Sequence, residues 1–292
     1  MRILFIGSVL FSKSILDEII KSKNEVIGVI GRKESKFNSD FCDLVKYSKK
    51  KKIKSIYTSD INSLKILNWV KKRKPDIIFC IGWSQLLKKK ILKIASLGVI
   101  GYHPSDLPKN RGRHPIIWSI ALGLKKVGSC FFFMKSRADA GNIISKKLIK
   151  IKKNYDSNLV YSKLIKVGRK QIREILLKIR TKKLKPYPQK NSASNYWRRR
   201  SELDGRIDWR MDAENINNLI KALTKPYPGA YFLFKEKKIR VWKSRVVELN
   251  KKNYEPGKIA RLKKNFVIKC GNKALKLITF SPKINLKGAT YL

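Results

Sequence analysis

Apolar residues in the first half of the chain follow two alternating rhythms. Short, nearly continuous apolar runs occur at residues 3–7, 25–31, 53–57, 76–81 and 97–102. Between them the apolar positions take helical spacing. Residues 12–21 carry Ile15, Leu16, Ile19 and Ile20, residues 41–50 form a basic amphipathic stretch, and residues 63–72 a third. Runs of that length with apolar residues at consecutive positions read as strands buried on both faces. Strands of that kind separated by helices predict a parallel sheet with right-handed crossovers. Residues 128–134 and 142–149 then read as neighbouring, antiparallel edge strands, and residues 157–180 as a long helix capped by Asp156.

The rhythm changes after residue 183. Residues 184–196 are rich in Pro and Ser and read as a linker. Beyond it lie one short helix, 212–223 with Asp212 as its cap, and five short strands, 230–235, 238–247, 258–262, 266–270 and 275–280. That pattern predicts a small OB-like barrel. The expected organisation is a domain over 1–183, a linker over 184–196 and a second domain over 197–292.

At 292 residues and 43% hydrophobic content, the chain can build two ordinary cores. The net charge of +49 fits a nucleic-acid partner. However, 52 of the 69 basic residues are Lys, spread along the whole chain with abundant Ile and Asn. A coding bias produces that pattern with no polyanionic ligand. Cys42, Cys80, Cys130 and Cys270 are far apart and form no CxxC pair; three sit in apolar runs and read as small core residues, which fits a reducing cytoplasm and no metal site. No apolar stretch reaches membrane-spanning length, and residues 1–7 are too short for a signal peptide.

Candidate chemistry concentrates after the fifth strand, in residues 99–115. That stretch holds three prolines, two arginines and both histidines of the chain, His103 and His114. His103 lies just past a strand end, and so does Asp139, 36 residues later. Loops after neighbouring strands of a parallel sheet converge on one crevice, where a histidine and a carboxylate form an acid/base pair. No Ser or Cys elbow accompanies them, which favours proton transfer and oxyanion stabilisation over covalent catalysis. The first turn, Gly7-Ser8-Val9-Leu10-Phe11-Ser12, lacks G-x-G-x-x-G, so neither NAD nor a P-loop nucleotide is indicated. His114, before Pro115, reads as structural.

These residues carry a resemblance. His-Pro-Ser-x-Leu-Pro-x-x-Arg-Gly from His103, followed by Ala-Asp-Ala-Gly-Asn-Ile around Asp139, resembles the formyltransferases that use 10-formyltetrahydrofolate. They include methionyl-tRNA formyltransferases, the formyltransferase half of the bifunctional arabinose-modifying enzyme, and sugar-nucleotide N-formyltransferases. Residues 2–8, 74–78, 82–87, 204–209 and 225–231 also fit, so the likeness spans nearly the whole chain. It implies an α/β fold, a Rossmann-like catalytic domain with a mostly parallel sheet and then a small β-rich domain. It implies formyl transfer to a primary amine, with 10-formyltetrahydrofolate as co-substrate and no metal. By resemblance, His103 stabilises the oxyanion and moves protons, while Asp139 orients His103 and accepts the amine proton. The folate pterin lies against the loop after the fourth strand, which assigns Trp83, Ser84, Gln85 and Leu86, with Asp139, to folate binding. The family uses Asn-x-His, whereas Gly101 stands here in the Asn position. A backbone N–H, Ser105 or Asn110 is the expected substitute. Loss of one such donor elsewhere lowers rates by about two to three orders of magnitude.

The amine acceptor divides the family. Members that act on initiator tRNA carry a long basic insertion after the second strand. Here residues 32–40 are short and mildly basic. Arg111 and Arg113 place two forked cations beside the crevice, suited to a phosphate or carboxylate on a small substrate. Together with residues 196–200 they favour a nucleotide-linked amino sugar, with Ser105, Asn110, Arg111 and Arg113 as substrate contacts. Methionyl-tRNA is the competing acceptor, a basic binding module on this fold is a third reading, and a homodimer is compatible with all three.

Overall fold

A computed structural model describes residues 1–35, 39–249, 251, 253–262, 265–284 and 290–292. The elements are β1 (Arg2–Gly7), α1 (Leu10–Lys21), β2 (Glu25–Gly31), α2 (Leu44–Lys50), β3 (Ser55–Tyr57), α3 (Leu64–Arg73), β4 (Ile77–Ile81) and α4 (Lys89–Leu92). They continue with β5 (Val99–His103), β6 (Arg111–Gly112), α5 (Pro115–Ala121), β7 (Lys126–Phe133), β8 (Ile143–Lys150), α6 (Ser157–Arg180) and β9 (Tyr196–Trp197). After these come α7 (Ala213–Leu223), β10 (Ala230–Phe234), β11 (Lys237–Val247), β12 (Ile259–Leu262), β13 (Asn265–Lys269) and β14 (Ala274–Ser281).

The chain divides into two compact units. The first comprises residues 1–115, 127–149 and 162–197, and the second residues 116–126, 150–161 and 198–292. In the first, a seven-stranded sheet runs β3-β2-β1-β4-β5-β7-β8. β1 to β5 are parallel, and β7 is antiparallel to β5. β4 is buried at all five residues because it lies mid-sheet with both faces covered. One face packs Leu4, Ile6, Ile30, Ile78 and Val99 against Ile66, Leu67 and Val70 of α3. The second unit holds a five-stranded antiparallel sheet, β10-β11-β14-β13-β12, with buried Ile216, Leu219, Ile220 and Leu223 on α7.

The start of the second helix differs from the sequence expectation. The second helix begins at Leu44 rather than 41, because Asp43 caps it through its side chain at 2.9 Å from the Lys46 N–H. Phe41 and Cys42 instead tie back to the turn after β1, through a Val9–Phe41 bridge and a Cys42 N–H bond to the Ser8 carbonyl. The loop 32–40 therefore returns to the sheet within a few residues. Its residues 36–38 lie outside the described residues. Asp156 caps α6 as expected, accepting the Leu159 N–H at 2.9 Å, whereas Asp212 occupies its cap position without a side-chain bond.

Burial pushes the Cys80, Cys130 and Cys270 thiols up to about 12, and raises half-buried Cys42 as well. Since the thiolate is the reactive form, alkylation of native protein at mildly alkaline pH is expected to mark Cys42 first. The other three should react only on unfolding. Peptide mapping after iodoacetamide treatment checks this, and early labelling of Cys80 would contradict the packing described.

Candidate active site

β5 delivers His103 to a buried position, and the chain then turns through Pro104. The ring Nε2 lies 2.9 Å from the Asn110 carbonyl. A carbonyl oxygen only accepts, so Nε2 carries the hydrogen. Nδ1 is thereby left as the nitrogen that gains and loses a proton. It faces Asp139 Oδ2 at 3.7 Å, and the same oxygen accepts the Gly112 N–H at 3.0 Å. Two acceptors facing each other at that separation make a slot for one proton or one N–H of a bound amine. Such gaps tighten when substrate binds.

Asp139 reaches the slot by a route the sequence reading did not anticipate. β7 pairs antiparallel with β5, with His103 opposite Cys130 and Ile100 opposite Phe133. The loop after β7 therefore starts beside the first half of β5, not beside its end. Parallel-strand convergence does not account for the meeting; a fold-back of residues 135–142 does. Asp139 takes a left-handed backbone, φ 53°, and Asn110 and His114 do the same at 63° and 54°. Non-glycine residues held there concentrate at sites whose surroundings over-determine them.

The surroundings come largely from the segment expected to be a linker. β9 pairs parallel with β6. The Arg111 and Arg113 N–H groups bond the Asn195 and Trp197 carbonyls, and Asn195 Oδ1 accepts the Asn110 N–H at 2.7 Å. Strand alternation turns the intervening Gly112 N–H the opposite way, toward Asp139. A Cβ on Gly112, where φ is 101°, would lie 2.3 Å from the Trp197 carbonyl oxygen, so only glycine fits. Tyr187 bridges Ile143 through both backbone hydrogen bonds. Residues 187–197 are thus a strap along the site, held by ordered hydrogen bonds where residues 184–196 read as a linker.

The expectation that Arg111 contacts substrate is corrected. The Arg111 side chain is fully buried. Its guanidinium donates to Gln189 Oε1 at 2.7 and 3.2 Å, to Asn191 Oδ1 at 3.4 Å and to the Tyr196 hydroxyl at 3.3 Å. With every direction engaged by the chain itself, it presents no fork to a substrate. Arg113 is exposed and donates to the Ser84 carbonyl at 2.8 Å, joining the His103 loop to the loop after β4. The Ser105 hydroxyl donates to the Lys109 carbonyl at 3.1 Å. In this geometry Ser105 is turned away from the oxyanion role, whereas the Asn110 side chain makes no hydrogen bond among the described residues.

In the loop after β4, Gln85 binds the Ile61 N–H and Asp60, which anchors it to the turn before α3. Leu86 projects its side chain at 56% exposure, and Trp83 packs on the core beneath the Arg32 guanidinium, 4.8 Å from ring centre. Trp83 Nε1 and Arg32 Nε are buried without a hydrogen-bond partner among the described residues. Orphaned donors beside an exposed apolar side chain fit a flat heterocycle rich in acceptors, as a pterin is.

Gly101 has a packing counterpart. A Cβ there would meet Met134 Cγ at 2.9 Å and Phe132 Cζ at 3.1 Å. Met134 fills the volume that an Asn side chain would take. Residues that the sequence reading missed are Gln189, Asn191, Asn195 and Met134. The three amides, clustered within seven residues of a stretch read as Pro- and Ser-rich, were the available signal.

A buried histidine facing a carboxylate on a mostly parallel sheet, with no nucleophile elbow in the sequence, is an arrangement suited to acid/base group transfer. The N-terminal formyl transferase model matches residues 1–176, and the formyl transferase C-terminal domain model matches residues 200–291. The chain belongs to the formyl transferase family and is an N-formyltransferase. It is 30% identical over 283 residues to the methionyl-tRNA formyltransferase of Caldanaerobacter subterraneus subsp. tengcongensis, covering 95% of this chain and 91% of that one. It is 37% identical over 239 residues to the bifunctional polymyxin resistance protein ArnA of Wigglesworthia glossinidia brevipalpis. That match covers 82% of this chain and only 36% of ArnA. The N-formyltransferase from Helicobacter canadensis, solved in complex with folinic acid and dTDP-3-aminofucose, superposes with TM-score 0.74 at 20% identity, over 94% of this chain and 98% of that one. At that identity the likeness speaks for the fold.

Proposed function

We propose that the protein transfers the formyl group of 10-formyltetrahydrofolate to the primary amine of a nucleotide-linked amino sugar, with His103 and Asp139 as the catalytic pair. The amine nitrogen bonds to the formyl carbon, the bond from that carbon to the folate N10 breaks, and one proton passes from the attacking to the leaving nitrogen. The slot between Nδ1 and Asp139 Oδ2 is the place for that proton, and it is the observation that carries the proposal. An uncharged amine enters with an N–H toward two acceptors. As the N–C bond forms, the proton moves to Nδ1 or to the carboxylate, and the Nε2 bond to Asn110 holds the ring in place. The folate rests on the loop of Trp83, Ser84, Gln85 and Leu86, whose orphaned indole N–H seeks an acceptor.

A sugar nucleotide is favoured as acceptor by the early return of residues 39–42 to β1, which leaves little chain after β2 to reach an acceptor stem. The Helicobacter relative's complex with dTDP-3-aminofucose points the same way. The second reading, methionyl-tRNA, has its own support in the +49 charge and in a relative of that activity matching at nearly full length. The deciding measurement is kcat/KM at about physiological ionic strength, where non-specific tRNA attraction is screened. dTDP- and UDP-linked amino sugars are compared with charged initiator and elongator tRNA. Preference for a sugar nucleotide is expected, and efficient formylation of initiator tRNA alone would replace this reading with the second.

A further inference from the structure

Gln189 stands at the meeting point of both catalytic loops. Its Nε2 donates to the Asp139 carbonyl at 2.8 Å and to the Gly141 carbonyl at 2.7 Å. Its Oε1 accepts from Arg111 Nε at 3.2 Å and from a terminal Arg111 nitrogen at 2.7 Å. Both amide hydrogens and the oxygen are therefore engaged, which fixes the amide's orientation without ambiguity. Arg111 is flanked by the two groups that define the proton slot. On one side is Asn110, whose carbonyl holds His103 Nε2, and on the other Gly112, whose N–H holds Asp139 Oδ2.

We propose that Gln189 is a positioning residue for formyl transfer: its amide ties the Asp139 loop to the His103 loop through Arg111 and so sets the His103–Asp139 separation. The need for such a tie is physical. Asp139 sits at φ 53°, a conformation that relaxes when unsupported, and it enters from the far end of an antiparallel pair. A guanidinium cannot release its proton, so Arg111 demands an acceptor in the strap. Gln supplies that acceptor and two donors from one planar group, which neither Asn at shorter reach nor Glu without N–H groups can reproduce. The inference rests on the His103–Asp139 reading above.

Gln189→Glu separates positioning from support. The carboxylate still accepts from Arg111, and a charge-assisted bond is the stronger one, which offsets the lost carbonyl bonds, so the variant should fold and melt within a few degrees of wild type. It offers no hydrogens to the Asp139 and Gly141 carbonyls and repels both. Formyl transfer from 10-formyltetrahydrofolate to dTDP-3-aminofucose is then expected to fall about 10- to 100-fold in kcat with KM for both substrates near wild type. Gln189→Ala should lose at least as much. The chain has two histidines, so selective 15N-histidine labelling follows the His103 ring in the absence of substrate. Its Nδ1 and Nε2 resonances should move in Gln189→Glu while those of His114 stay. Wild-type kcat with unmoved His103 resonances in Gln189→Glu would overturn the proposal. So would loss of activity that appears only with loss of folding in both variants, since that marks plain structural support. His103→Ala tested alongside keeps the two claims apart. If it turns over normally, the catalytic pair is wrong; if it is inactive while Gln189→Glu is normal, only the positioning role is wrong.

Discussion

His103→Ala is expected to lower kcat/KM for formyl transfer by about two to four orders of magnitude, the usual worth of a general acid/base group. The fold should survive, because the ring's hydrogen bond goes to one loop carbonyl and its removal leaves β5 paired on both edges. Asp139→Asn is expected to fall by a comparable factor for a different reason. The amide keeps the size and can still accept the Gly112 N–H through its oxygen, but the carboxylate that faces Nδ1 is gone. The two losses should not add, since both variants disable the same proton slot. Steady-state rates of the two single variants and the double variant decide this. Near-normal rates in either single variant, or fully additive losses, would remove the slot from the mechanism.

Arg111→Ala should destabilise the first unit by at least about 1 kcal/mol. The side chain is fully buried, and its removal takes both donors from Gln189 Oε1, at about 1–3 kcal/mol, whereas exposed Asn191 and Tyr196 can turn to water and Tyr196 keeps its bond from Arg137. At roughly 2–4 °C per kcal/mol for a chain region of this size, the first unit should melt at least about 2 °C lower. Arg111→Lys should recover little of this, because an ammonium cannot span three acceptors in a plane. A substrate-contacting Arg111 behaves differently: KM rises and melting barely moves. Calorimetry together with KM for both substrates separates the two outcomes.

The parallel sheet was legible because its strands are buried on both faces and therefore read as unbroken apolar runs, as at residues 77–81. The edge strands were read as antiparallel, as β7 is to β5, but the consequence was not legible: the Asp139 loop starts beside the first half of β5 and must fold back. His103 and Asp139 were legible from residue type and from the family's spacing. Their supports were not, because Gln189 meets Arg111 and Asp139 across separations of 78 and 50 residues, and no local pattern encodes such a contact. Arg111 was misread for a related reason. Two arginines in one loop look alike in sequence, yet the Gln189 and Asn191 amides of the strap gather around Arg111 and bury it, while Arg113, past the end of β6, stays exposed. Gly101 was legible as a departure, but its explanation needed the Met134 side chain lying where an amide would go.

The most direct measurement follows the formyl carbon itself. Wild-type protein and His103→Ala are incubated with 10-formyltetrahydrofolate bearing a 13C-formyl group, together with dTDP-3-aminofucose and charged initiator tRNA in one mixture. The expected result is a 13C-formamide on the amino sugar with wild-type protein and none with His103→Ala. Label found on methionyl-tRNA and absent from the sugar, or label on the sugar with His103→Ala at the wild-type rate, would contradict the assignment of substrate or of catalytic residue respectively.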